Sequence, residues 1–193
     1  MNVRHLSWLA PLALAACSSD SPASRPPLEG ARIGGPFALT NQDGRRITDA
    51  GFAGKYRVMY FGYTFCPDVC PVDVQKIGAA MKLLDGSDPA LAQRIVPIFV
   101  TIDPARDTPA VLKQFVSAFH PRLVGLTGSA DEIARIAKEY GVYYKRGEGT
   151  AGGYMMDHSR QVYLMAPDGK PLALLPQEQS PQAIADEIKR WAT

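Results

Sequence analysis

The feature that most constrains this chain is the stretch 56–63 (YRVMYFGY), apolar or aromatic nearly throughout and followed without a break by Thr64-Phe65-Cys66-Pro67-Asp68-Val69-Cys70-Pro71. A run with so little polar alternation has no face to show to water. It reads as a strand buried on both sides, inside a sheet covered by helices. A helical pattern follows the loop, with Val74, Ile77, Met81 and Leu84 on one face. Residues 95–103 (IVPIFVTID) form a second central strand. Thr108-Pro109 opens a helix to about Phe119, as an N-cap followed by Pro at the first helical position. After a short strand at 123–127, Ser129-Ala130-Asp131-Glu132 has capping-box spacing and starts a helix that ends at Tyr140-Gly141.

Both flanks carry hairpin signals. Asn41-Gln42-Asp43-Gly44 separates two short alternating runs between residues 37 and 48. Near the other end, Pro167-Asp168-Gly169-Lys170 separates runs at 162–166 and 171–175, and Ser180-Pro181 caps a last helix to Trp191. Residues 142–145 read as a further short strand, and the Gly-rich 146–157 as a loop without periodicity. Strands alternating with helices imply a parallel centre, and the hairpins add antiparallel edges. The expected fold is α/β: a thioredoxin-like sandwich whose central mixed sheet is flanked by helices, with an N-terminal hairpin. That order puts the TFCPDVCP loop at the carboxyl end of a central strand, where open α/β sheets place their sites.

Composition narrows the function. The chain has 193 residues, 46% hydrophobic and 21% charged, which suits one globular domain. Its net charge of +2 is spread along the sequence. This leaves no basic footprint, so nucleic acid is not an expected partner. Arg4 precedes the apolar run 6–16, which Pro11 interrupts. The run is too short to cross a bilayer core of about 30 Å and reads as an export signal. It ends in Leu14-Ala15-Ala16-Cys17, which resembles a bacterial lipobox, cut before an acylated Cys17. The Ser/Pro-rich 18–27 reads as a tether. The expected organisation is a signal peptide at 1–16, a lipidated N-terminus and tether at 17–32, and one domain at 33–193. The domain would be held at a membrane through the lipid on Cys17, facing the periplasm or another extracytoplasmic space.

With Cys17 assigned to lipid, Cys66 and Cys70 remain, four positions apart. If both join the first helical turn, their sulfurs share one face and can grip an ion or close a disulfide. As a structural staple the pair is weak, because so short a loop gives only about 2 kcal/mol in the chain-entropy model. Two thiolates are soft donors that favour Cu(I), Zn(II) or iron-sulfur clusters, and structural zinc wants four ligands. His120 and His158 are the further donors of the mature chain. His120, in Phe119-His120-Pro121 at a helix end, reads as a surface or capping residue. His158, in Met155-Met156-Asp157-His158-Ser159, stands just before a strand, and the adjacent methionines read as packing. Two thiolates and one imidazole satisfy Cu(I) without a fourth donor.

FGYTFCPDVCP, VTIDPARDTP and DHSRQVYLMAPDG, in that order, resemble the Sco/SenC family of copper chaperones from about Ile33 to Trp191. The resemblance implies a thioredoxin-like fold and copper, as Cu(I) or Cu(II), bound by Cys66, Cys70 and His158. It also implies delivery to the CuA site of a cytochrome c oxidase subunit, with other periplasmic copper chaperones or thiol reductants as further partners. Phe65 departs from the family, where a histidine often stands. Asp103 and Asp157 are candidate supports for the site, Asp103 by orienting His158 or by meeting a partner's basic surface, while Asp107 with Thr108 reads as a helix cap and Arg106 as a carboxylate's partner. The same cysteines allow a second activity: a thiol-disulfide oxidoreductase that reduces the cysteines of that copper site. The C-x-x-x-C spacing and the Asp157-His158-Ser159 segment, which lacks the facing Pro of thioredoxins, lean away from a general oxidoreductase. A thiol peroxidase is excluded, since neither cysteine has Thr three positions before it.

Overall fold

The computed structural model describes residues 25–150 and 153–193, so the signal, Cys17 and most of the tether lie outside the described residues. The centre is the strand the sequence announced. All seven residues of β3 (Tyr56–Gly62) are buried. It lies between β4 (Ile95–Thr101), parallel to it, and β8 (Val162–Met165), antiparallel. The full sheet runs β2-β1-β5-β4-β3-β8-β9, with β1 (Ala38–Asn41) and β2 (Arg46–Thr48) at one edge and β9 (Pro171–Leu175) at the other. β5 (Val124–Thr127) completes the parallel centre and pairs antiparallel with β1. Both edge hairpins are where the turn chemistry put them. The first closes through the Asn41 side chain, whose Oδ1 accepts from the backbone of Asp43 and Arg45. Gly169 takes the positive φ of the second turn.

Helices pack on this sheet through the faces their spacing marked. In α1 (Val69–Ser87), Val74, Ile77, Met81 and Leu84 are all buried. Such side chains contribute about 1.5–3 kcal/mol each when fully removed from water. Gly78 lets α1 approach the next connection closely, since a Cβ there would stand 2.9 Å from the Phe119 carbonyl oxygen. A short α2 (Pro89–Gln93), capped by Asp88, precedes β4. α3 (Pro109–Ser117) is capped by Thr108, α4 (Ala130–Glu139) by the full Ser129/Glu132 box, and α5 (Pro181–Trp191) by Ser180. Before β1, Leu28 packs on the core and its N–H donates to the Leu172 carbonyl.

One expectation fails. Residues 146–157 are not a loop: β6 (Tyr144–Thr150) and β7 (Gly153–His158) form a separate antiparallel hairpin. Its alternation is hidden in the sequence because glycines occupy side-chain positions and the register shifts between Arg146 and Gly149. The hairpin matters because its last residue is His158.

Candidate functional site

The cysteine loop leaves β3 at Gly62 and is fastened at once by a buried carboxylate. Asp107 accepts from the Thr64 backbone N–H (3.0 Å), the Thr64 hydroxyl (2.6 Å) and the Thr101 hydroxyl (2.6 Å). Its burial pushes its carboxyl above the usual range. Asp107 therefore ties the loop to the end of β4 and is not a helix cap; Thr108 alone caps α3. The helix begins at Val69, so Cys70 sits in its first turn, whereas Cys66 lies in the loop before it and does not join the helix. The two are bridged by the Cys70 N–H, which donates to Cys66 Sγ at 3.4 Å. Gly62 makes room below: a Cβ there would come within 3.1 Å of Cys70 Sγ.

Both cysteines are buried free thiols. The hairpin brings the imidazole to them from the other side of the rim. His158 Nε2 lies 3.2 Å from Cys70 Sγ. Its Nδ1 lies 2.8 Å from the Ser159 carbonyl oxygen. A carbonyl only accepts, so Nδ1 carries a hydrogen, and Nε2 is the nitrogen turned toward the sulfur. Ser159 is itself held by Tyr143, whose N–H donates to the serine hydroxyl oxygen and whose carbonyl accepts the serine N–H. Tyr60 and Tyr63 stand edge-on to the imidazole at 6.5 and 5.9 Å. The three donors named from the sequence are thus neighbours. They are hydrogen-bonded to one another rather than spread as a ready cage: among the described residues no group of three His, Cys, Asp or Glu side chains is arranged to hold an ion.

The two thiols differ. Cys66 is pulled well below the usual thiol range because the Cys70 thiol donates to its sulfur, helped by His158 and by the N–H groups of Cys70 and Asp68. Cys70 is pushed up by the same shared proton and by its burial. The two sulfurs thus pull in opposite directions, Cys66 toward the thiolate and Cys70 toward the thiol.

The remaining sequence candidates fall in different places. Asp103 is buried and does not orient His158. Its carboxylate takes Arg106 Nε (2.5 Å) and the Tyr154 hydroxyl (2.7 Å), while the Ser159 carbonyl does the orienting. Arg106 lies over the rings of Tyr154 and Phe65, at 3.7 and 4.9 Å, so Asp103 braces the hairpin against the loop. Asp157 is exposed and pairs across the hairpin with Lys145. Met156 packs in the core as expected, but Met155 is half exposed and its sulfur accepts from the Tyr63 hydroxyl at 3.9 Å. His120 is not a surface residue: it is buried, with Nε2 on Asp85 (3.0 Å) and Nδ1 accepting the Arg122 N–H (3.2 Å). The sequence reading missed Tyr60, Tyr63 and the role of Asp107. Their only signal was position, at the end of central strands.

Known proteins resemble this chain in sequence and in fold. The family model described as SCO1/SenC matches residues 25–193. Protein SCO1 homolog 1, mitochondrial, of Arabidopsis thaliana is 44% identical over 139 residues, covering 72% of this chain and 40% of that protein. Arabidopsis thaliana ScoI with copper bound superposes with a TM-score of 0.77 at 38% identity, covering 82% of this chain and 97% of that one. Bradyrhizobium japonicum ScoI with copper bound gives 0.75 at 40% identity, covering 82% and 99%. The chain spans about half the length of the curated relatives it matches, from 40% to 61%.

Proposed function

Because the chain belongs to the SCO1/SenC family, we propose that it is a copper-binding protein of cytochrome c oxidase assembly, holding copper on Cys66, Cys70 and His158 and passing it to the CuA site. The observation that carries this reading is the Nε2 of His158, aimed at Cys70 Sγ with its other nitrogen spoken for by a carbonyl. An imidazole fixed in this way is a ligand in waiting, because its outer hydrogen bond sets both tautomer and direction. The donor set fits copper as cargo. Two sulfurs suit Cu(I), and an added nitrogen suits Cu(II). The protons now shared among the three groups are the ones binding must release.

Delivery is tested by mixing the copper-loaded chain with the metal-free CuA domain of an oxidase subunit. The reading expects CuA absorption to appear as copper leaves the chain. Copper that stays on the chain, or a CuA centre that forms equally with copper-loaded Cys66→Ser protein, contradicts it.

A second reading rests on the asymmetry of the thiols. Two free cysteines held together by the Cys70 N–H on Cys66 Sγ, with Cys66 favoured as the thiolate, are the arrangement a disulfide exchanger uses. Cys66 sulfur attacks a disulfide of the CuA-site protein and displaces one of its thiols. Cys70 then gives up its proton and attacks Cys66, leaving a Cys66–Cys70 disulfide and the partner dithiol. The leader motif supports membrane attachment through an acylated Cys17, and among the described residues no helix is long and apolar enough to cross a membrane. Cys17→Ala is expected to leave the chain unprocessed or soluble. An intact mass showing an unmodified N-terminus at another residue overturns the anchor.

A further inference from the structure

Behind Cys70 lies a buried polar knot that metal binding does not use. Asp73, three residues beyond Cys70 on α1, is fully buried. Its Oδ2 accepts from the Tyr60 hydroxyl (3.1 Å) and from Arg160 Nε (3.1 Å), and its Oδ1 from Arg160 Nη2 (2.9 Å). Arg160 therefore holds the carboxylate with both prongs of its fork. Arg160 is two residues beyond His158, and Asp73 sits on the helix whose first turn carries Cys70. The pair thus joins the segment bearing the imidazole to the element bearing the thiol. Tyr60 fills the space between, touching Asp73 through its hydroxyl and facing the His158 ring with its own.

Asp73 is buried while Arg160 stays about one-third exposed (35%), so desolvation of the carboxylate offsets much of the attraction and the pair is a poor way to gain stability. Its effect is positional: a two-bond fork fixes direction as well as distance.

We propose that the Asp73–Arg160 pair is a positioning clamp that holds His158 beside Cys70 before any metal arrives. The proposal deepens the copper reading and rests on it for its consequence. Cu(II) depends on the nitrogen donor, so its binding depends on the clamp. Cu(I), held by two thiolates, depends on it far less.

The test uses the whole chain and three proteins: wild type, Arg160→Gln, which keeps the stem and loses the charged fork, and Arg160→Lys, which keeps the charge and loses the second prong. Cu(II) and Cu(I) affinities are measured by chelator competition, and the order of the His158 ring by NMR relaxation of the metal-free protein. Arg160→Gln is expected to weaken Cu(II) binding about 10–100-fold, to change Cu(I) binding far less, and to free the ring. Arg160→Lys falls between, and it carries the comparison alone if the glutamine variant does not fold. Unchanged Cu(II) affinity overturns the clamp. So does an equal loss for both ions with the ring still ordered, which marks general damage. A wild type that binds no copper refutes the copper reading instead. The metal-free ring measurement then still judges the clamp: a ring equally ordered in all three proteins overturns it.

Discussion

Two histidines in this molecule have opposite fates. His120 is buried near the far end of α1, where Asp85 takes its Nε2–H and the Arg122 N–H occupies its Nδ1. Both ring nitrogens are used by the scaffold, and Arg122 also pairs with Asp85. His158 is half-buried at the other end, beside Cys70 in the first turn, with one nitrogen on a carbonyl and the other facing sulfur. Cys70 and Asp85 are fifteen residues apart on one helix, about 22 Å at the rise of an α-helix. The same side chain is a strut at one end and a donor at the other. The two differ in burial and in partners, Asp85 and Arg122 for one and Cys70 for the other. The count of ring nitrogens left for a ligand separates the two roles.

The largest expected effect breaks the donor end altogether. Cys66→Ser with Cys70→Ser, or oxidation of the pair to a disulfide, should abolish tight copper binding in a titration, because the proposed site takes its primary donors from the two sulfurs. Next comes His158→Ala. Cu(II) affinity should fall at least about 100-fold, since removing a ligand outweighs removing a group that only orients one. Cu(I) affinity should fall less, and disulfide exchange at Cys66 and Cys70 should persist in a stopped-flow assay. At the strut end the pattern reverses. His120→Ala should leave copper binding unchanged and cost about 2–3 kcal/mol in denaturant unfolding, through poorer packing and unpaired partners.

The smallest effect is a pH dependence at the strut. Burial lowers the His120 pKa below its ordinary 6.5, outweighing the pull of Asp85. A group with a lowered folded pKa binds fewer protons folded than unfolded in that window. Its contribution is present above about pH 6.5 and is lost as pH falls toward the lowered value. Unfolding measured from pH 7.5 down to 5 should show this loss in wild type and a flatter profile in His120→Gln. Equal slopes in the two proteins would remove the proton linkage from this residue.

The two ends also differ in what could be read from sequence. The central strand, the capped helices and both edge hairpins were legible because periodicity, caps and turn residues are local signals. The cysteine pair and His158 were legible as motifs. The hairpin that delivers His158 was not, because its glycines and its register shift erase the alternation that marks a strand. Asp107 was misjudged for a related reason. Its place before Thr108 suggests a cap, but its partners Thr64 and Thr101 come from two other strand ends. His120 read as a surface or capping residue for want of any local sign of Asp85, thirty-five residues earlier. Long-range pairing, not residue type, decided each of these cases.

The central claim is that His158 and the two cysteines bind one copper together while His120 does not. X-ray absorption at the copper edge on the reduced, Cu(I)-loaded chain tests it most directly, in wild type, His158→Ala and His120→Ala. The account predicts two sulfur neighbours and one imidazole nitrogen in wild type and in His120→Ala, and two sulfurs alone in His158→Ala. An imidazole signal that survives in His158→Ala, or vanishes in His120→Ala, would contradict it.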